Sequence, residues 1–398
     1  MKLANPEALG FSPERLTRIN HLMERYVEGG TLAGIETCVV RRGQLAHRET
    51  FGYQNLETET PLSQNSIFRI YSMTKPISAV ALMMLYEEAR FNLTDPVSKF
   101  IPAFKDVKVW GVGGVLEEPV RPMTVQDLLR HTAGLSYGTY EESLSHVDKL
   151  YDEAKIFDPQ LTLAEFTERV AGLPLIYHPG QKWHYSISID IAGFLVEVLA
   201  DKSLGDFMQE KIFEPLGMVD TAFHIDPTKL SRFCTLYGKK EDTDLGVLDL
   251  PESSEYLPPV ALHAGGSGLV STTDDYLKFA LCILNKGELD GVRLLGPKTV
   301  ELITCSHLPE HVLPIAYEGS EPMLGMGYGL GFGVMLDPAQ AGMMGSVGDH
   351  GWGGAAETYF WIDPKEELIA IQMSQYQPSQ TYPIRKEFRA AVYQSLIS

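Results

Sequence analysis

Residues 68–85 read FRIYSMTKPISAVALMML and contain Ser72-Met73-Thr74-Lys75, the single Ser-x-x-Lys of the chain. The apolar run that follows (Ile77, Val80, Ala81, Met83, Met84, Leu85) does not alternate and is long enough to predict a buried helix. Ser72 then sits at the mouth of the helix and Lys75 one turn further on, on the same face. The helix N-terminus adds free N–H donors and a partial positive charge beside the serine oxygen. Pro76 is tolerated because first-turn N–H groups lack intrahelical partners. A serine hydroxyl becomes a nucleophile when a base takes its proton, and a lysine in an apolar setting can be that base. Taken alone, the same four residues also fit a serine helix cap followed by a surface lysine.

Outward from this stretch, the 398 residues carry a net charge of −19, with 44% hydrophobic and 21% charged residues. This is the composition of a soluble globular protein, and its sign argues against nucleic acid or an anionic membrane as partner. No run approaches the length of a transmembrane helix, and the start MKLANPEALGFSPERL lacks the features of a signal peptide. The expectation is a cytoplasmic location, or a mature chain whose leader has been removed. Cys38, Cys234, Cys282 and Cys305 are scattered, which predicts reduced thiols and neither a disulfide framework nor a zinc site.

Ser12-Pro13 predicts a capped helix running to about Val27. GIETCVV and QLAHRETFGY on either side of Arg41-Arg42-Gly43 predict a β-hairpin. The middle of the chain reads as helical, with a capped segment at 124–129, an acidic stretch over 141–170 and apolar helices at 187–199 and 204–213. Residues 225–262 show no period and read as loops. Strand-like stretches at 328–335, 356–362 and 368–372 and a last helix over 384–396 close the chain. The expected fold class is therefore α+β. One antiparallel sheet flanked by helices is built from both chain ends (1–80 and 264–398), a mostly helical domain (81–263) is inserted, and the active site lies between them.

Two further stretches carry chemistry. Tyr185 precedes an apolar helix, and a phenol near an ammonium is easier to ionise, so it is a candidate base; an ordinary aromatic anchor is the plainer alternative. Gly348-Asp349-His350-Gly351-Trp352-Gly353-Gly354 precedes a strand, where glycines let a substrate lie against backbone N–H groups. A glycine-rich turn fits that stretch equally well. His307 and His311 match an inverted zinc-protease spacing, but Pro309 breaks the helix this motif needs.

The order Ser-x-x-Lys, Tyr-Ser-x, His-Gly-Trp-Gly-Gly resembles the serine β-lactamase and penicillin-binding-protein superfamily. It is most similar to the class C β-lactamase-like branch and its family VIII carboxylesterases. LLRHTAGL (128–135), FEPLGMVDT (213–221) and GGSGLVS (265–271) add to the resemblance, which covers most of the chain. It implies a β-lactamase/DD-peptidase-like fold and acyl transfer through Ser72, with Lys75 and Tyr185 as a coupled base. Backbone N–H groups of Ser72 and of the strand around Trp352 would hold the oxyanion, with His350, Gly351 and Gly353 as neighbours. No cofactor or metal is implied. The family's Tyr-x-Asn asparagine is Ile187 here, and its Lys-Thr-Gly lysine is replaced by His350 or Trp352. Loss of an amide and a cation disfavours anionic β-lactams and suits a small neutral ester, short-chain or aryl. The alternatives are a β-lactamase, D-amino-acid peptidase or amide hydrolase, a transacylase, and a non-catalytic penicillin-recognising protein.

Overall fold

The computed structural model describes residues 1–138, 145–240, 243–317 and 319–398. Helix α1 (Arg18–Glu28) follows a short helical segment, Pro13–Leu16, capped by the Ser12 hydroxyl. The expected N-terminal helix is thus two pieces that meet at Thr17. Strands β1 (Gly34–Arg41) and β2 (Gln44–Asn55) form the expected hairpin. Arg42 and Gly43 both take positive φ, 52° and 70°, as a two-residue hairpin turn requires.

Short β3 (Thr60–Pro61) pairs with β2, and helix α2 (Thr74–Glu87) begins two residues after Ser72. Helix α3 (Val125–Leu129) carries a Thr124/Asp127 capping box, and helix α4 is Ser188–Ala200. Of the acidic stretch 141–170, the first part lies outside the described residues; the remainder holds helices His146–Glu153 and Leu163–Ala171, separated by a loop. Helix α5 spans Thr273–Leu284. Strands β4 (Met326–Tyr328), β5 (Gly333–Met335), β6 (His350–Gly353), β7 (Tyr359–Asp363) and β8 (Leu368–Ser374) precede the C-terminal helix α6 (Ile384–Tyr393).

The main sheet has eight strands in the order β4-β5-β6-β7-β8-β1-β2-β3, and every pairing in it is antiparallel. Both faces of its centre are covered, so β8 is buried at every position and opens on the apolar run Leu368–Ile371. Leu368 and Ala370 point to one core with α1 and α6, while Ile369, Ile371 and Met373 point to the core that contains α2. Helix α2 is buried on all sides and packs along α4, which explains why its sequence shows no polar stripe.

Two expectations fail locally. The stretch 225–262 contains a hairpin, Leu236–Lys240 with Thr243–Asp249, whose first strand runs parallel to Tyr376–Gln377. The glycine-rich run 327–335 is two strands joined by a turn at Gly331 (φ 86°), where a Cβ would lie 2.5 Å from that of Ala79. Cys38, Cys234 and Cys282 are buried free thiols, and Cys305 is an exposed one. Among the described residues no helix is long and apolar enough to cross a membrane, and no His/Cys/Asp/Glu group is arranged to hold a metal ion.

Candidate active site

Ser72 lies in a single 3-10 turn, Tyr71–Met73, that leads into α2. The residue before it, Tyr71, takes a positive φ of 41°, a conformation that costs a tyrosine about 1–3 kcal/mol and must be held by its surroundings. Phe68–Arg69 pairs with Val270–Ser271, and the Tyr276 hydroxyl donates to the Met73 carbonyl at 2.9 Å. Arg69 is wholly buried and donates to Asp249, to the Cys234 carbonyl and to Gln375. These bonds fix the turn from both sides.

Lys75, also wholly buried, sends its amine back to this turn. Nζ lies 3.0 Å from Ser72 Oγ, 2.8 Å from the Tyr137 hydroxyl and 2.7 Å from the Gly266 carbonyl. These three oxygens fix the amine. The amine lies over the Tyr185 ring at 4.6 Å from its centroid, within cation–π range. Lys75 and Tyr185 are therefore together, but through the ring face. The phenol hydrogen-bonded to the amine is Tyr137, which the sequence reading did not single out.

The Tyr185 hydroxyl accepts instead from the Trp352 indole N–H at 3.0 Å. Its ring is packed among those of His131 (4.7 Å), Tyr317 (5.2 Å), Tyr137 (5.5 Å), Trp352 (5.5 Å) and Trp183 (5.9 Å). His131, from the LLRHTAGL stretch, is fully buried and accepts from the Ser186 N–H on Nδ1. Burial, with Lys75 and His184 nearby, pushes its pKa well below the usual histidine range, so the ring is neutral. Gly134 (φ 83°) then turns the chain against the Tyr177 carbonyl, which would stand 2.1 Å from a Cβ, and the chain arrives at Tyr137.

Strand β6 packs beside the Ser72 turn. Trp352 lies across Gly333, where a Cβ would meet its ring at 2.8 Å. Gly351 and Gly353 alternate with Trp352 along β6, and Gly353 lies against the Arg385 guanidinium. Arg385 also donates to the Gly354 carbonyl at 2.7 Å and to Glu357, pinning the end of the strand. His350 is elsewhere: its Nδ1 faces the Gly348 carbonyl and its ring lies edge-on to Phe332. Burial lowers its pKa to about 4. Of the two residues left as alternatives, the structure brings Trp352 to Tyr185.

With this geometry in place, the comparisons with known proteins are consistent. The family profile described as Beta-lactamase matches residues 19–394. Protein Rv1367c of Mycobacterium tuberculosis is 33% identical over 360 residues, covering 88% of each chain. Esterase EstB of Burkholderia gladioli is 28% identical over 400 residues, covering 94% of each. Among solved structures, EstCE1, a hydrolase with promiscuous acyltransferase activity, superimposes with a TM-score of 0.81 at 24% identity, covering 96% of this chain and 99% of its own. The fold is that of β-lactamases and penicillin-binding proteins, as the sequence resemblance implied. A profile match over nearly the whole length, on a chain whose Ser-x-x-Lys and tyrosine stretches converge in space, makes this protein a member of the β-lactamase family of hydrolases.

Proposed function

We propose that the protein hydrolyses neutral carboxylic esters, short-chain or aryl, through an acyl-enzyme on Ser72. The observation that carries this reading is the 3.0 Å contact between Lys75 Nζ and Ser72 Oγ, with the Trp352 indole bonded to Tyr185 close by. Ser72 Oγ attacks the ester carbonyl as its proton passes to the neutral form of Lys75. The oxyanion is held by the Ser72 N–H and an N–H from β6 near Trp352. Tyr185, its oxygen aligned by Trp352, gives its phenol proton to the departing alkoxide; the phenolate then takes a proton from the water that attacks the acyl carbon, and Lys75 returns its proton to Ser72 Oγ as the acid leaves. Tyr137 fixes the amine between the two. Without a lysine at Trp352 and with Ile187 in place of an amide, recognition of an anionic β-lactam is weakened.

EstB and the lovastatin esterase of Penicillium rubens (26% identical) support the ester reading. Acyl transfer to a second alcohol differs only in the acceptor, and the relative named acyltransferase calJ in Penicillium decumbens (27% identical) favours it as a side reaction. The test is hydrolysis of p-nitrophenyl butyrate and nitrocefin by wild type and Ser72→Ala. Ester turnover lost in the variant, with little nitrocefin turnover, is expected. Nitrocefin turnover matching that of the ester would overturn the substrate class.

A further inference from the structure

Gly265-Gly266 lies between two helices, with three of its polar groups held by side chains. From α2, the Ser78 hydroxyl donates to the Gly265 carbonyl at 2.5 Å and Lys75 Nζ donates to the Gly266 carbonyl at 2.7 Å. From α4, Asp190 Oδ1 accepts the Gly266 N–H at 2.8 Å. There is no room for a side chain at Gly266, because a Cβ would stand 2.4 Å from Asp190 Oδ2. Asp190 is 1% exposed, and its Oδ2 has no hydrogen-bond partner among the described residues. A buried carboxylate with one open oxygen is costly unless a nearby charge compensates it. The cation whose field reaches it is Lys75.

We propose that Asp190 is a positioning residue for the reaction, holding the Lys75 amine through the Gly266 peptide and supplying the countercharge for the ammonium formed when Ser72 gives up its proton. The inference rests on the reading of Lys75 as the base. The step balances simply: the Ser72 O–H bond breaks, its proton binds Lys75 Nζ, and the oxygen's electron pair forms the bond to the substrate carbonyl carbon. The positive charge thus appears in a buried pocket. The other groups facing the amine, Tyr137, Tyr185 and His131, include no carboxylate, and the His131 imidazole is neutral. Asp190 then stands to the amine as the third member of a nucleophile–base–orienter chain, acting across one peptide unit. Burial raises its pKa to about 6, so it is ionised at and above neutral pH.

Asp190→Asn keeps an acceptor for the Gly266 N–H and removes the charge. Ester kcat/KM is measured against pH for wild type and D190N, with the thermal midpoint as a control. The ammonium loses stabilisation in the variant, so the acid limb moves about one unit to lower pH. The plateau falls about tenfold or more. A purely structural role would lower the midpoint or the plateau and leave the limb in place, and an unmoved limb overturns the proposal. If D190N does not fold, wild-type protein carrying lysine labelled with carbon-13 at Cε decides. A Lys75 resonance with an inflection near pH 6, where Asp190 titrates, supports the coupling, and a resonance without one overturns it. Failure of a fluorophosphonate to label Ser72 in wild type would instead overturn the proposed function itself, so the two failures are distinguishable.

Discussion

The indole N–H of Trp352 donates to the hydroxyl of Tyr185 across 3.0 Å, joining the last motif of the chain to the middle one. The bond aims one lone pair of the phenol oxygen at β6. Trp352→Phe keeps the ring that packs on Tyr185 and Tyr328 but removes the donor. Loss of a neutral hydrogen bond of about 1 kcal/mol predicts about a fivefold fall in ester kcat. KM should change less. Steady-state kinetics on a chromogenic ester checks this, and an unchanged kcat would mean that the bond does not serve the chemistry.

The two phenols around Lys75 should separate in the same assay. Tyr185→Phe removes the proposed proton donor to the leaving alcohol and should cost roughly 10²–10⁴ in kcat. Tyr137→Phe removes only an acceptor of the amine and should cost about tenfold, near the value of one charge-assisted bond. The reverse order would assign the proton to Tyr137.

These two tyrosines also mark how far the sequence could be read. The contact between Ser72 and Lys75 was legible because residues three apart at a helix start share one face, and that relation is local. Tyr137 was not, because its position depends on the turn at Gly134 against Tyr177, some forty residues away in sequence. His350 and Trp352 could not be separated because alternate residues of a strand share a face; only the neighbours (Phe332 for one, Gly333 and Tyr185 for the other) tell them apart. The hairpin 236–249 was missed because its burial is confined to a few positions and one flank is completed by a distant parallel strand. The strands β1 and β8 were visible in the sequence, whereas the strand order of the sheet required register.

Gly134 tests the turn directly. With φ at 83° and no space beside the Tyr177 carbonyl, Gly134→Ala should destabilise the fold by more than about 1 kcal/mol. It should also depress activity more than stability alone explains, since Tyr137 follows three residues later. Thermal unfolding and kcat on the same preparation check both parts.

Asp127 links pH to the same segment. Burial pushes its carboxyl up, but bonds from Arg121, Thr124 and Thr132 outweigh this and leave its pKa at about 2 against an ordinary 3.8. The unfolded chain therefore binds the proton more readily. The stabilisation, about 2.5 kcal/mol, is fully present above pH 3.8 and is lost as pH falls towards 2. The stability difference between wild type and Asp127→Asn should accordingly be large at pH 6 and shrink towards pH 2 in denaturant titrations. A difference independent of pH would contradict the assignment.

The most direct test of the central claim is to find where a serine-directed fluorophosphonate attaches, by peptide mass spectrometry. The account predicts a single adduct on Ser72, absent from Ser72→Ala and formed far more slowly in Lys75→Met. An adduct on another residue, or labelling that persists in Ser72→Ala, would contradict it.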